Sequence, residues 1–378
     1  MPELRVVLAG GGTAGHVNPL LSLAHSLRDN GVEVSIVGTR EGLETSLVPQ
    51  AGFTLEFIER VPFPRAVNGY MFTFPFLLRK AVKQAKEILL RHQADVLVGF
   101  GGYVSTPMYM AARSLGISYV IHEQNAKPGM ANKMGARHAD VLALTFESTP
   151  LQAKKGQTKV VGLPLRTGFA RVAKMDIHER AAYKEEVAHS LGIDASMPTL
   201  VITGGSLGAH HINEVVAHSL QSIVDERIQV LHITGRGKSD DVKKKLEDRG
   251  GYPHYYVREY IEHMEDVYAC ADLVLCRSGA GTVAELVSLG VPAFFVPLAI
   301  GNGEQELNAH DVVTRGGAFL IKDKDFDENV FINRVLPLLH NEEELQKMAV
   351  SSRSLQMNSA ADELTHIVMK LGVGERHE

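Results

Sequence analysis

Val6-Val7-Leu8-Ala9-Gly10-Gly11-Gly12-Thr13-Ala14-Gly15-His16 is a short apolar run that breaks into glycines and continues as a helical pattern from about Pro19 to Asp29. A β-branched run without polar alternation reads as a strand covered on both faces, and the glycines after it as a tight turn into a helix. The same sentence is written again at Leu200-Val201-Ile202-Thr203-Gly204-Gly205-Ser206-Leu207-Gly208, about half the chain later. Between the two lie Val32 to Val37, Val96-Leu97-Val98, Tyr119-Val120-Ile121 and Val141 to Leu144; beyond the second lie Val230 to Ile233, Leu273-Val274-Leu275 and Ala293 to Val296. Buried strands separated by helices predict an α/β chain of two doubly wound, Rossmann-like domains, with parallel sheets facing a central cleft. We expect domains over residues 1–162 and 163–345, joined near Gly162-Leu163-Pro164, and a helical segment over 346–378 that packs back on the N-terminal domain.

Length and composition agree with that plan and narrow the function. The chain has 378 residues, enough for two full cores, with 45% hydrophobic and 22% charged residues. Lys+Arg 39 against Asp+Glu 44 gives a net charge of −5, which excludes nucleic-acid binding by bulk charge. Cys270 and Cys276, with five residues between them in apolar context, fit neither a disulfide framework nor a zinc motif and read as buried thiols. No apolar run reaches the 18 or so residues that a spanning helix needs.

A strand, a glycine turn and a helix N-terminus together aim free backbone N–H groups and the positive end of the helix dipole at one place. Four segments have this form: Gly10 to Gly15, Gly101-Gly102-Tyr103-Val104-Ser105, Gly204 to Gly208, and Ser278-Gly279-Ala280-Gly281-Thr282. A diphosphate-bearing ligand is their natural occupant. Gly10-x-Gly12-x-x-Gly15 formally fits the dinucleotide fingerprint, but the second strand ends Val37-Gly38-Thr39-Arg40 without the acid that holds a ribose. Arg40 leaves an NADP enzyme as a minor alternative. There is no Walker-type lysine loop.

These loops, with His122-Glu123-Gln124-Asn125 and Arg277-Ser278-Gly279-Ala280-Gly281-Thr282-Val283-Ala284-Glu285, resemble the MurG family, the glycosyltransferases that convert lipid I to lipid II in peptidoglycan synthesis. The likeness runs from about Val6 to Ala318 with the motifs in order. It implies the GT-B fold, UDP-GlcNAc held mainly by the C-terminal domain, a lipid-linked acceptor against the N-terminal domain, and inversion at the anomeric carbon without a metal or other cofactor. By this resemblance Ser206, with the amides of Gly205 to Gly208, binds the donor diphosphate and Arg166 adds positive charge. Glu285 takes the ribose hydroxyls, Ile261 and Met264 flank the uracil, and Gln305 and Asn308 hold the sugar. Thr13, Ala14, Gly15, Ala280, Gly281 and Thr282 complete the donor contacts; Gly12, Gly102 and Tyr103 face the acceptor, and Asn125 serves either. The paired glutamines of the family stand here as Glu304-Gln305, and Ala14 replaces a frequent glycine. His16, at a helix N-terminus where its pKa should fall, is expected as general base or acceptor-diphosphate ligand, with Glu123 the rival base. Asp323-Lys324-Asp325-Phe326-Asp327 lacks the glycine and closing glutamate of a calcium loop and reads as a solvated turn.

Residues 63–76 hold five aromatics, Phe63, Tyr70, Phe72, Phe74 and Phe76, and Arg79, Lys80, Lys83 and Lys86 follow at helical spacing. An apolar clump beside a basic stripe suits an anionic membrane surface, extended by Arg60 and Arg65. The expected placement is peripheral, on the cytoplasmic face of the cell membrane. The resemblance adds other cell-wall synthesis and division proteins as partners. A UDP-GlcNAc 2-epimerase of the same fold and a non-catalytic nucleotide-sugar-binding module are the remaining alternatives.

Overall fold

A computed structural model describes residues 4–64, 69–205, 209–298, 303–357 and 359–374. The chain divides into two compact units, one of residues 1–166 with 357–378, the other of residues 167–356. The first holds strands β1 (Arg5–Ala9), β2 (Glu33–Gly38), β3 (Leu55–Phe57), β4 (Val96–Gly99), β5 (Ser118–Glu123), β6 (Val141–Leu144) and β7 (Gln157–Val160), in the order β3-β2-β1-β4-β5-β6-β7. The second holds β8 (Thr199–Thr203), β9 (Gln229–Ile233), β10 (Tyr255–Arg258), β11 (Leu273–Cys276), β12 (Ala293–Phe295) and β13 (Ala318–Leu320), in the order β10-β9-β8-β11-β12-β13. Every recorded pairing in both sheets is parallel.

The double burial inferred for β1 is what alternation along it delivers. Val6 and Leu8 pack into one apolar cluster, and Val7 and Ala9 into another on the opposite face. In each unit the winding reverses between the first strand and its non-consecutive neighbour, at β1/β4 and at β8/β11. Ligands of open parallel sheets bind outside the carboxyl ends of the strands at such a reversal. The four glycine segments follow β1, β4, β8 and β11, so both sheets carry a pair of glycine loops at this place.

Two boundaries differ from expectation. The units meet at 166/167, not 162/163, because the stretch Val161 to Leu163 is buried in the first unit; Gly162 takes φ +84 against Met357 and Ala360. The C-terminal segment is also split. The helix Glu342–Arg353 stays with the second unit, whereas the helix Ala360–Gly374 lies along the helix Ala14–Asp29 of the first. There Leu364, Ile367 and Val368 enter the cluster of Leu8 and Leu20, and Thr365 donates to Ser26 Oγ at 2.8 Å. Cys270 and Cys276 are free, buried thiols.

Candidate active site

In the first unit the helix Ala14–Asp29 begins without a side-chain cap. Thr13, its N-cap residue, places Oγ1 3.1 Å from His16 Nδ1 instead of on a backbone amide. The first amides of a helix have no intrahelical acceptor, so Ala14 and Gly15 keep theirs open. Gly12, at φ +95, has nothing within 4 Å of its would-be side chain. His16 is half-buried, and desolvation holds its imidazole below the usual 6.5 while the Glu44 carboxylate pulls the other way. The second loop closes on the first. Gly101, at φ +84, lies where a Cβ would meet the His16 ring at 3.5 Å, and Gly102 sits 2.9 Å by the same measure from Gly11 O.

The Gly12 amide, expected to face the acceptor, is already engaged: it donates to Glu44 Oε2 at 2.8 Å. That carboxylate also covers Gly11, where a Cβ would fall 2.3 Å from Glu44 Oε1. Arg40, the residue that left an NADP enzyme open, lies over the Phe57 ring at 4.7 Å. Anion contact is left to Thr13, Ala14 and Gly15.

Glu123, expected as a rival base, is buried with both oxygens committed. Oε1 accepts from Asn125 N at 3.0 Å; Oε2 accepts from Gly129 N and Asn132 Nδ2, each at 2.9 Å. Burial raises its pKa and these bonds oppose the rise. It organises the 124–129 loop and, through it, the half-buried Asn125. Asn132, which no motif marked, links Glu123 to Tyr109 and to the backbone of His122. His122 itself is buried on Gly162 O at 2.8 Å, its pKa brought down to about 4 by burial. Tyr103 lies under the Arg60 guanidinium at 4.5 Å, and Arg60 pairs with Glu41 at 2.6 Å. Arg60 therefore belongs to this loop and not to the basic stripe.

In the second unit Ser206 lies outside the described residues; Gly205, at φ +68, opens to free space beside it. The helix Ala280–Leu289 starts from Gly279 with no side-chain cap, and Gly279 and Gly281 face open space, so the amides of Ala280 to Thr282 are approachable. Glu285 follows one turn later, half-buried. Ile261 and Met264 are both half-buried, in the loop before and at the start of the helix Met264–Cys270. Beside them, at Tyr260, the Arg236 guanidinium lies 4.6 Å from the ring, a contact the motifs gave no sign of.

Gln305 and Asn308 are braced more than expected. Ser278 Oγ donates to Gln305 O at 2.8 Å, Leu298 N donates to Gln305 Oε1 at 2.9 Å, and the buried Asn308 gives Nδ2 to Ser278 O at 3.4 Å. Gln305 is half-buried and Glu304 is exposed. Asp323 is not the solvated turn residue expected of it. It pairs with the buried Arg277 and lies 3.3 Å from His211 Nδ1, and Arg277 Nη1 caps the carbonyls of Val296 and Pro297 at 2.9 and 3.2 Å. His210, Glu214 and Asp241 bring possible ligand atoms within 4.8 Å of one another, but Lys245 ion-pairs with both carboxylates. Arg166 is half-buried and ends the N-terminal stretch of the first unit.

Comparison with known proteins gives this pair of loops a family. Residues 6–143 match the glycosyltransferase family 28 N-terminal domain and residues 199–364 the family 28 C-terminal domain. The UDP-N-acetylglucosamine–N-acetylmuramyl-(pentapeptide) pyrophosphoryl-undecaprenol N-acetylglucosamine transferase of Bifidobacterium adolescentis is 44% identical over 98% of both chains. The chain belongs to glycosyltransferase family 28. Its transferase relative from Paenarthrobacter aurescens is 45% identical over 97% of this chain and 96% of the relative. Among solved structures, Acinetobacter baumannii MurG superposes with a TM-score of 0.77 at 28% identity, over 98% of this chain and 100% of that one. A Neisseria meningitidis UDP-GlcNAc 2-epimerase superposes at 0.68 with 14% identity, a likeness of fold alone. The GT-B architecture and the family implied by the glycine motifs are thus those found.

Proposed function

We propose that this family 28 glycosyltransferase moves GlcNAc from UDP-GlcNAc to the 4-hydroxyl of MurNAc in undecaprenyl-diphospho-MurNAc-pentapeptide, inverting the anomeric carbon. The observation that carries the acceptor side is the Thr13–His16 contact. With the ring proton on Nδ1 and donated to Thr13 Oγ1, Nε2 keeps its lone pair; the open amides of Ala14 and Gly15 beside it, expected from the resemblance as donor contacts, are read here as the seat of the acceptor diphosphate. His16 then takes the proton of the 4-hydroxyl as its oxygen attacks C1 and the bond from C1 to the UDP oxygen breaks. Charge gathering on the departing diphosphate is met by Gly205, Ser206 and the amides of Ala280 to Thr282. Glu285 holds the ribose, Ile261 and Met264 the uracil, and the Nε2 of Gln305 a sugar hydroxyl. Asn308 keeps that segment in place, Asn125 contacts a ligand, and Glu123 acts by shaping its loop.

The acceptor's polyprenyl tail calls for a lipid surface, and the helix Tyr70–Arg91 offers one face for it. Phe72 is 80% and Phe76 76% exposed, and Arg79 and Lys83 continue the same face by helical spacing. No helix among the described residues is long and apolar enough to cross a membrane, which suits peripheral attachment at the cytoplasmic leaflet. Labelled UDP-GlcNAc incubated with a lipid I analogue tests the reading. Disaccharide product is expected only with both substrates, and with EDTA present as well as absent. Loss of UDP-GlcNAc without acceptor would instead favour the epimerase.

A further inference from the structure

Glu44 is fully buried, yet no motif and no step of the reaction above uses it. Its Oε1 accepts from Thr39 N and Thr39 Oγ1, each at 2.9 Å, and its Oε2 from Gly12 N at 2.8 Å. Space for the carboxyl group is made by three glycines. A Cβ on Gly11, Gly38 or Gly42 would fall 2.3, 2.6 or 1.9 Å from Glu44 atoms. The preceding residue adds a second grip, since Leu43 N donates to Gly12 O at 3.4 Å. Gly12 is thereby held from both sides at φ +95, and Thr13, the following residue, carries the hydroxyl on His16.

We propose that Glu44 is a positioning residue for the transfer reaction: by fixing the Gly12 peptide it sets the Thr13–His16 contact and the open helix amides at the acceptor. A buried carboxylate left without one of its donors is costly, and that cost is what keeps the loop in a single conformation. The inference rests on the reading that the acceptor binds the first unit.

Two variants of the full chain separate positioning from simple support. In Glu44→Gln the amide NH2 cannot accept from both sides, so kcat/KM for a lipid I analogue should fall about 10- to 100-fold with donor KM within about twofold of wild type. Thr39→Val removes one bond to the same carboxylate but leaves the Gly12 contact; it should lower the melting temperature while acceptor kinetics stay within about twofold. UDP-GlcNAc binding in both variants reports a folded second unit. Unchanged acceptor kinetics in Glu44→Gln would overturn the proposal, and so would an equal loss in Thr39→Val. Absence of transfer by the wild-type chain would instead overturn the functional reading beneath it.

Discussion

At the scale of single residues the proposed chemistry turns on His16. Its imidazole titrates below 6.5 because desolvation outweighs the Glu44 charge, so activity should hold through neutral pH and fall only as acid protonates the ring. The acid limb of kcat/KM is therefore expected below pH 6.5, and His16→Ala should cut turnover about 100-fold or more while leaving donor affinity in place. Near-normal turnover would remove His16 as base. Glu285→Ala should weaken UDP-GlcNAc binding about 10- to 100-fold, read by titration of the donor alone; unchanged affinity would refute the ribose assignment. His16 and Glu285 could be proposed from sequence because each sits at a fixed offset from a glycine turn. Glu44 and Asn132 could not, because the contacts that tie them to the site, Glu44 to the Gly12 amide and Asn132 to Glu123 and Tyr109, cross between separate elements and no local pattern marks them. Glu123 could be singled out from sequence, but only packing shows both its oxygens occupied.

At the scale of elements, strand identity came from buried apolar runs and loop identity from the glycines that end them. What the sequence could not distinguish was two kinds of glycine. Gly12, Gly205, Gly279 and Gly281 open toward free space, whereas Gly11, Gly38 and Gly42 make room for a carboxyl group. The aromatic clump divides in the same way. Phe72 and Phe76 are exposed, but Phe74 is half-buried, its ring 5.7 Å from Phe63 and 6.1 Å from Tyr70. Replacing Phe72 and Phe76 with serine should release the protein from anionic vesicles in co-sedimentation, with the melting temperature little changed. Phe74→Ser should do the reverse, costing about 1–3 kcal/mol of stability. Equal loss of vesicle binding in both would mean that the helix acts only through its fold. Lys80 pairs with Glu59 and Lys83 lies 3.9 Å from Glu87; such exposed pairs are weak, and both lysines remain recruitable by anionic headgroups.

At the scale of the molecule, each unit keeps one buried imidazole that refuses a proton. His122 in the first titrates at about 4, and His232 in the second, between Tyr255 Oη and Asn213 Oδ1, at about 3. Unfolded, both would take a proton near pH 6.5, so the unfolded chain gains protons that the folded one does not, and stability falls as pH drops from about 6.5 toward 4. Melting followed by calorimetry should shift down by roughly 5–10 °C over that range; a flat profile would contradict the burial of both rings. The two-unit plan was legible from the repeated strand–glycine–helix pattern. The split of the C-terminal segment was not, because only packing assigns its two helices to different units.

Helix Ala360–Gly374 carries a consequence for biosynthesis. It is the last described element to leave the ribosome, yet Leu364, Ile367 and Val368 complete the core built around the first strand. Domains ordinarily fold in the order in which they emerge. Here the unit begun first must wait, its core open, while residues 167–356 are made as a continuous piece free to fold ahead of it. The nascent chain thus finishes from the middle outward, and a ribosome stalled short of Ala360 would display a completed second unit attached to an unfinished first one.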